Sequence, residues 1–192
     1  NGTFTIWIAS AASFDIKKEV EKEACDTIKA AASEGFAGLL ESNRKWWNGF
    51  WNDGSYISLH SEDGDADYVS ENCNYFLYVM ACISRGSYMP RYGGLLWYSG
   101  GDFHTWGALQ WWHNIGCYYQ ALPATGHFEL MEPLFTQLLN NYESYALAAE
   151  QQWGSKGIYI PETGWFDGME TLPDYIAEEM RELYLARKPW SE

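Results

Sequence analysis

The sequence predicts a mainly α protein, built of helical hairpins whose long loops gather on one face. Apolar residues recur at helical spacing in about six segments. The loops between them alternate between short and long, which suits a helical-hairpin toroid with its site built from the long loops. No low-complexity linker and no short repeat breaks up the 192 residues, enough for one domain with a sizeable core.

Each element follows from local pattern. In "NGTFTIWIASAASF" (1–14), Phe4, Ile6 and Ile8 alternate with small or polar neighbours, which predicts a short strand or extended lead-in. Residues 15–192 form the helical domain. From Asp15, an N-cap candidate, Ile16, Val20, Ala24 and Ile28 fall on one helix face until Gly35 stops it. A second helix, 36–51, carries Leu39, Leu40, Trp46, Trp47 and Phe50. A turn at 52–54 leads into a short extended piece, "SYISL". The acidic "SEDGDADY" opens a third helix over 68–84, "GALQWWHNIGCYYQAL" predicts a fourth over 107–122, and 128–153 reads as one long fifth helix. The sixth spans 174–187. Two long loops stand out, 85–106 with five glycines and 154–173; loops of this length inside a compact domain usually carry function.

Composition narrows the ligand. Aromatic residues make up 18% of the chain, with 11 Trp and 14 Tyr. Their flat faces and polar edges suit a stacked, hydrogen-bonded sugar. The net charge of −14 disfavours nucleic acid, which needs a basic footprint, and disfavours anionic membranes and polyanionic substrates by the same repulsion. A neutral ligand fits. No apolar run reaches transmembrane length. The four cysteines, Cys25, Cys73, Cys82 and Cys117, lack metal spacing and are expected to be buried free thiols, with one bridge open as an alternative.

Candidate site residues cluster in the long loops and beside them. The 85–105 loop holds Arg85, Arg91, Asp102 and His104 among its glycines. In "QWWHN", a helix would place Gln110, His113 and Asn114 on one face, with Trp111 and Trp112 turned elsewhere. Asp63, Asp65 and Asp67 alternate as calcium ligands do, but Tyr68 and Asn74 stand where an EF-hand needs Gly and Glu. These acids are better read as complements to a helix N-terminus. No metal and no cofactor is expected. In "YIPETGWFDG", Glu162 follows a proline, with Tyr159, Trp165, Phe166 and Asp167 close by. Apolar rings around a carboxyl penalise its charged form, as a glycosidase acid requires. Asp102 and Asp167 are the local candidates for a partner carboxylate.

Several stretches, in order, resemble one family: "NYFLYVMACISRGSYMPRYGGLLW" (74–97), "DFHTWGALQWW" (102–112), "GHFELMEPLF" (126–135) and "GIYIPETGWF" (157–166). "WWNGFWNDGSYISL" (46–59) extends the likeness, which runs from about residue 30 to 170. The chain resembles the catalytic (α/α)6 domain of the inverting α-L-fucosidases of glycoside hydrolase family 95. The resemblance implies hydrolysis of a neutral oligosaccharide or polysaccharide, an α-L-fucoside or α-L-galactoside, with Glu162 as general acid. It implies substrate contacts from Asp102, His104, Gln110, Trp111, His113, Asn114, Trp165 and Asp167. In the family, asparagines polarised by a distant aspartate activate the water. Here Trp106 and Ala108 occupy the asparagine positions, or Trp111 and His113 in a shifted alignment, and the aspartate would fall beyond residue 192.

A closed toroid takes roughly twice the six or so helices read here, and half a ring would expose large apolar faces. The expectation is therefore part of a longer polypeptide, with 1–14 the stub of a preceding β domain, or a chain that self-associates. Its expected place is secreted, periplasmic or cell-surface. The alternative function is a non-catalytic carbohydrate-binding or scaffold domain that keeps the aromatics and lacks the base. A uronate-cleaving lyase is disfavoured by the charge, and a terpene cyclase by the lack of an aspartate-rich helix motif.

Overall fold

A computed structural model describes residues 2–13, 15–91, 109–168 and 171–185. The chain is mainly helical, and its contacts divide it at Gly54 into two units. Asp102, His104 and the glycine-rich 92–108 stretch lie outside the described residues.

In the first unit, residues 2–13 have neither helix nor strand pairing among the described residues. Phe4, Ile6 and Ile8 are exposed. Helix α1 spans Val20–Asp53, its N-cap Glu19 four residues beyond the predicted Asp15. Asp15 instead accepts from the Lys17 N–H through Oδ1 at 2.9 Å and closes a turn ahead of the helix. Gly35 sits inside α1 at φ 76° and ψ 165°, a conformation essentially reserved for glycine, so the two predicted helices join across a kink there. In the second half, aromatics four residues apart stack in parallel. Trp46 lies on Phe50 at 5.4 Å and Trp47 on Trp51 at 6.2 Å, centroid to centroid.

The second unit begins with an extended piece tied to helix α2, Asp65–Ile83. Asn74 clasps Ile57 at both ends: its amide donates to the Ile57 carbonyl at 2.7 Å and its oxygen accepts from the Ile57 N–H at 3.1 Å. Ser70, one turn earlier, donates to the same carbonyl at 2.7 Å. Side chains thus do the work of a neighbouring strand. Asp63 and Asp67 serve the start of α2. The Asp67 carboxyl lies below its ordinary value, chiefly through its hydrogen bond with His60 and then through the Ser61 N–H. No group of metal-ligating side chains gathers among the described residues.

Strand β1 (Gln110–Trp111) runs into helix α3 (Trp112–Gln120) and the short α4 (Leu122–Thr125). A 3₁₀ turn at Phe128–Met131 leads to α5 (Glu132–Asn140) and α6 (Tyr142–Trp153). Strand β2 is Thr163–Gly164, and α7 is Asp174–Leu185. The predicted single helix over 128–153 is therefore broken at Asn141 (φ −92°, ψ 4°). No Gly or Pro marks the break, and the apolar period runs through it. Leu77 and Met80 from α2, Ile115 from α3, Leu122, Leu130 and Ala148 from α6 form the buried core. Ser84 ends α2 in that core and donates to the Leu130 carbonyl at 2.8 Å. Burial, slightly offset by Ser84, pushes the Tyr119 phenol up to about 12. Arg181 from α7 donates to the Glu150 and Gln151 carbonyls at the end of α6, where a cation complements the helix dipole. No described helix is long and apolar enough to cross a membrane.

The four cysteines are free thiols. Contrary to expectation, Cys25 and Cys117 are exposed and Cys73 and Cys82 are half-buried, since each lies beside rather than on the core face of its helix.

Candidate functional site

The loop bearing Glu162 is fastened along its length. At its start, the Tyr159 N–H donates to the Tyr145 carbonyl on α6 at 3.0 Å. In the middle, β2 pairs antiparallel with β1, Gln110 opposite Gly164 and Trp111 opposite Thr163. The Trp112 N–H continues the ladder, donating to the Glu162 carbonyl at 2.7 Å. At its end, Asn141 Nδ2 donates to the Phe166 carbonyl at 3.1 Å and the Ser144 hydroxyl donates to the Gly168 carbonyl. Beyond it, the Gln151 amide pairs with both the N–H and the C=O of Leu172.

This register decides which side chains meet. Side chains along a strand alternate between its faces. Gln110 and Trp112 therefore share a face with their partners Gly164 and Glu162. All four line one cavity of about 300 Å³, walled further by Met89, Ile115, Leu138, Tyr145, Ile160 and Pro161. Glu162 stands at its mouth with an exposed side chain.

Several expectations are corrected by this arrangement. Gln110 does not share a helix face with His113 and Asn114, because the helix begins only at Trp112. His113 and Asn114 are exposed on the first turn of α3, away from the described cavity lining. The rings expected around Glu162 pack elsewhere. Tyr159 meets Trp153 at 6.0 Å, and Phe166 meets Tyr88 edge-on at 5.6 Å. Trp165 is exposed and does not line the described cavity. Asp167 is likewise exposed, at the turn after β2. Trp111, on the opposite face of β1 from Gln110, is half-buried, and its neighbour Trp112 takes the place beside Glu162. Reading 110–112 as extended rather than helical would have exchanged the two tryptophans.

Gln110 itself is buried and committed to structure. Its Nε2 donates to Gln137 Oε1 at 2.9 Å and to the Met89 carbonyl at 3.2 Å, and its Oε1 accepts from Gln137 Nε2. Gln137 Oε1 also accepts from the Met89 N–H at 2.9 Å. The pair of amides thus ties three chain segments together at the floor of the site. Gln137 and Met89 were not singled out from sequence. The only signal is a glutamine on the apolar face of α5.

Gly168 closes the loop at φ +67°, and a Cβ there would lie 2.6 Å from the Asn141 Cβ. Both strain and clash oppose a side chain, and the Asn141 Cβ sits too near its backbone to yield cheaply. Gly168→Ala is expected to cost about 1–3 kcal/mol and to loosen the Phe166–Asn141 hydrogen bond. Thermal melts with amide exchange at 163–168 check both; an unchanged melt would show that the loop is not held by this close approach.

No protein-family model, curated protein or solved structure matches the chain.

Proposed function

We propose that the chain is a carbohydrate-active domain, an inverting glycoside hydrolase acting on a neutral glycan, with Glu162 as general acid. The observation that carries this reading is the β1–β2 register. It sets a carboxyl and the exposed Trp112 ring side by side at the mouth of a cavity, on a loop tied down at both ends. A sugar stacked on Trp112 brings its glycosidic oxygen to Glu162. Glu162 gives its proton to that oxygen as the C–O bond breaks; water adds to the anomeric carbon from the opposite face and releases its proton to a base. The likeness of "GIYIPETGWF" to the family's acid loop supports the same role, and the charge of −14 favours a neutral substrate. A toroidal arrangement of the helices and an extracytoplasmic setting belong to the same proposal.

The alternative, a binding domain without catalysis, is favoured by a separate observation. Glu162 is the sole carboxylate among the described residues lining the cavity. Proton NMR of the anomeric signals during incubation with fucosylated and galactosylated oligosaccharides separates the two. Hydrolysis with inversion is expected, the released sugar appearing first in the anomeric form opposite to the bond cleaved. Retention would overturn the mechanism, and glycan binding with no release would favour the binding domain.

A further inference from the structure

We infer that the cavity beside Glu162 is a subsite for an aromatic leaving group, a phenolic or other aryl aglycone, rather than for the sugar being released. This rests on the general-acid reading of Glu162 and goes beyond it. The walls are aliphatic and thioether groups from Met89, Ile115, Leu138 and Ile160, with the Tyr145 ring behind them. Among the described residues, the polar groups of the walls are few and engaged. Both N–H groups of the Gln110 amide are given to Gln137 and the Met89 carbonyl, and the Tyr145 hydroxyl accepts from Asn141 at 3.4 Å. At the mouth stand the Glu162 carboxyl and the edge of Trp112. A pyranose carries several hydroxyls, and each one buried without a partner costs about 1–3 kcal/mol. A planar apolar ring loses nothing of the kind and gains by leaving water.

Size agrees with chemistry. An apolar cavity of about 150 Å³ is known to take a benzene ring. The space here is about 300 Å³, room for one or two fused rings. With the ring inside and the sugar outside, the oxygen joining them falls at the mouth, where Glu162 stands. The arrangement matches an acid that must reach the bond between a buried aglycone and a solvated sugar.

The test uses the full chain, labelled with ¹³C at its methyl groups and titrated with 2-naphthol. Ring-current shifts are expected at the methyls of Met89, Ile115, Leu138 and Ile160, with a Kd of about 1 mM or tighter. A methyl glycoside of the same sugar as the best substrate should leave those methyls in place. No shifts, shifts elsewhere, or equal shifts from the methyl glycoside would overturn the inference. Hydrolysis of 2-naphthyl and methyl glycosides is followed in parallel with Glu162→Gln. If naphthol fills the cavity and nothing is cleaved, the ring subsite stands and the hydrolase reading falls. If cleavage depends on Glu162 while naphthol moves none of the four methyls, the hydrolase reading stands and the subsite falls.

Discussion

On the proposed hydrolase reading, replacing Glu162 by Gln is expected to lower turnover of a neutral glycan by about 10²–10⁴-fold, while binding of the same glycan survives. The amide keeps the shape of the side chain and removes the transferable proton. The backbone carbonyl of Glu162, which accepts from the Trp112 N–H, is unaffected, so the loop keeps its register. The loss is smaller on aryl glycosides, whose leaving groups need little protonation to depart. Asp167→Asn costs much less, because Asp167 lies outside the described cavity lining. Steady-state kinetics on matched natural and aryl substrates check the pattern. Equal losses on both substrates would remove Glu162 from the acid role. If neither substitution mattered, the binding-domain reading would lead, and the Trp112 mouth would be a sugar platform.

Gln137→Leu is expected to be the most damaging single change to the fold around the site. Gln137 is 1% exposed, and its amide satisfies the Met89 N–H and both ends of the Gln110 amide. Leucine fills the space and strands the Met89 N–H and the Gln110 oxygen in a dry interior. Each buried group left unpaired costs about 1–3 kcal/mol, so the two together cost roughly 2–6 kcal/mol, a large share of a domain's stability. A drop in Tm of about 10 °C is the expected reading by calorimetry. The pairing is reciprocal, so Gln110→Leu with Gln137→Leu should cost less than the two single changes added together. Strict additivity would show that the amides act separately.

Most helices were legible in the sequence because their signal is local. Within α1, α2 and α7 the apolar residues repeat every three or four positions, and the pattern needs no knowledge of what it packs against. Gly35 was legible as a break for the same reason, since its freedom at positive φ is a property of the residue alone. Asn141 was not. An asparagine continues a helix as readily as it interrupts one, and only its hydrogen bond to the Phe166 carbonyl, 25 residues on, gives the break its purpose.

The site divides in the same way. That Glu162 sits in a long loop of aromatic character was readable from residues 154–173, and so was the mainly helical frame around it. Which aromatic stands beside Glu162 was decided by pairing across some fifty residues of chain. A strand of two residues has no period to detect, and shifting the local conformation at Gln110 from helix to strand turns Trp111 away and brings Trp112 in. The same non-local contact made Gln110 a structural tie instead of a ligand, because its partners, Met89 and Gln137, lie 21 and 27 residues away in sequence. Hydrogen-bonding capacity is written in a side chain, but its use depends on which partners the folded chain brings within reach.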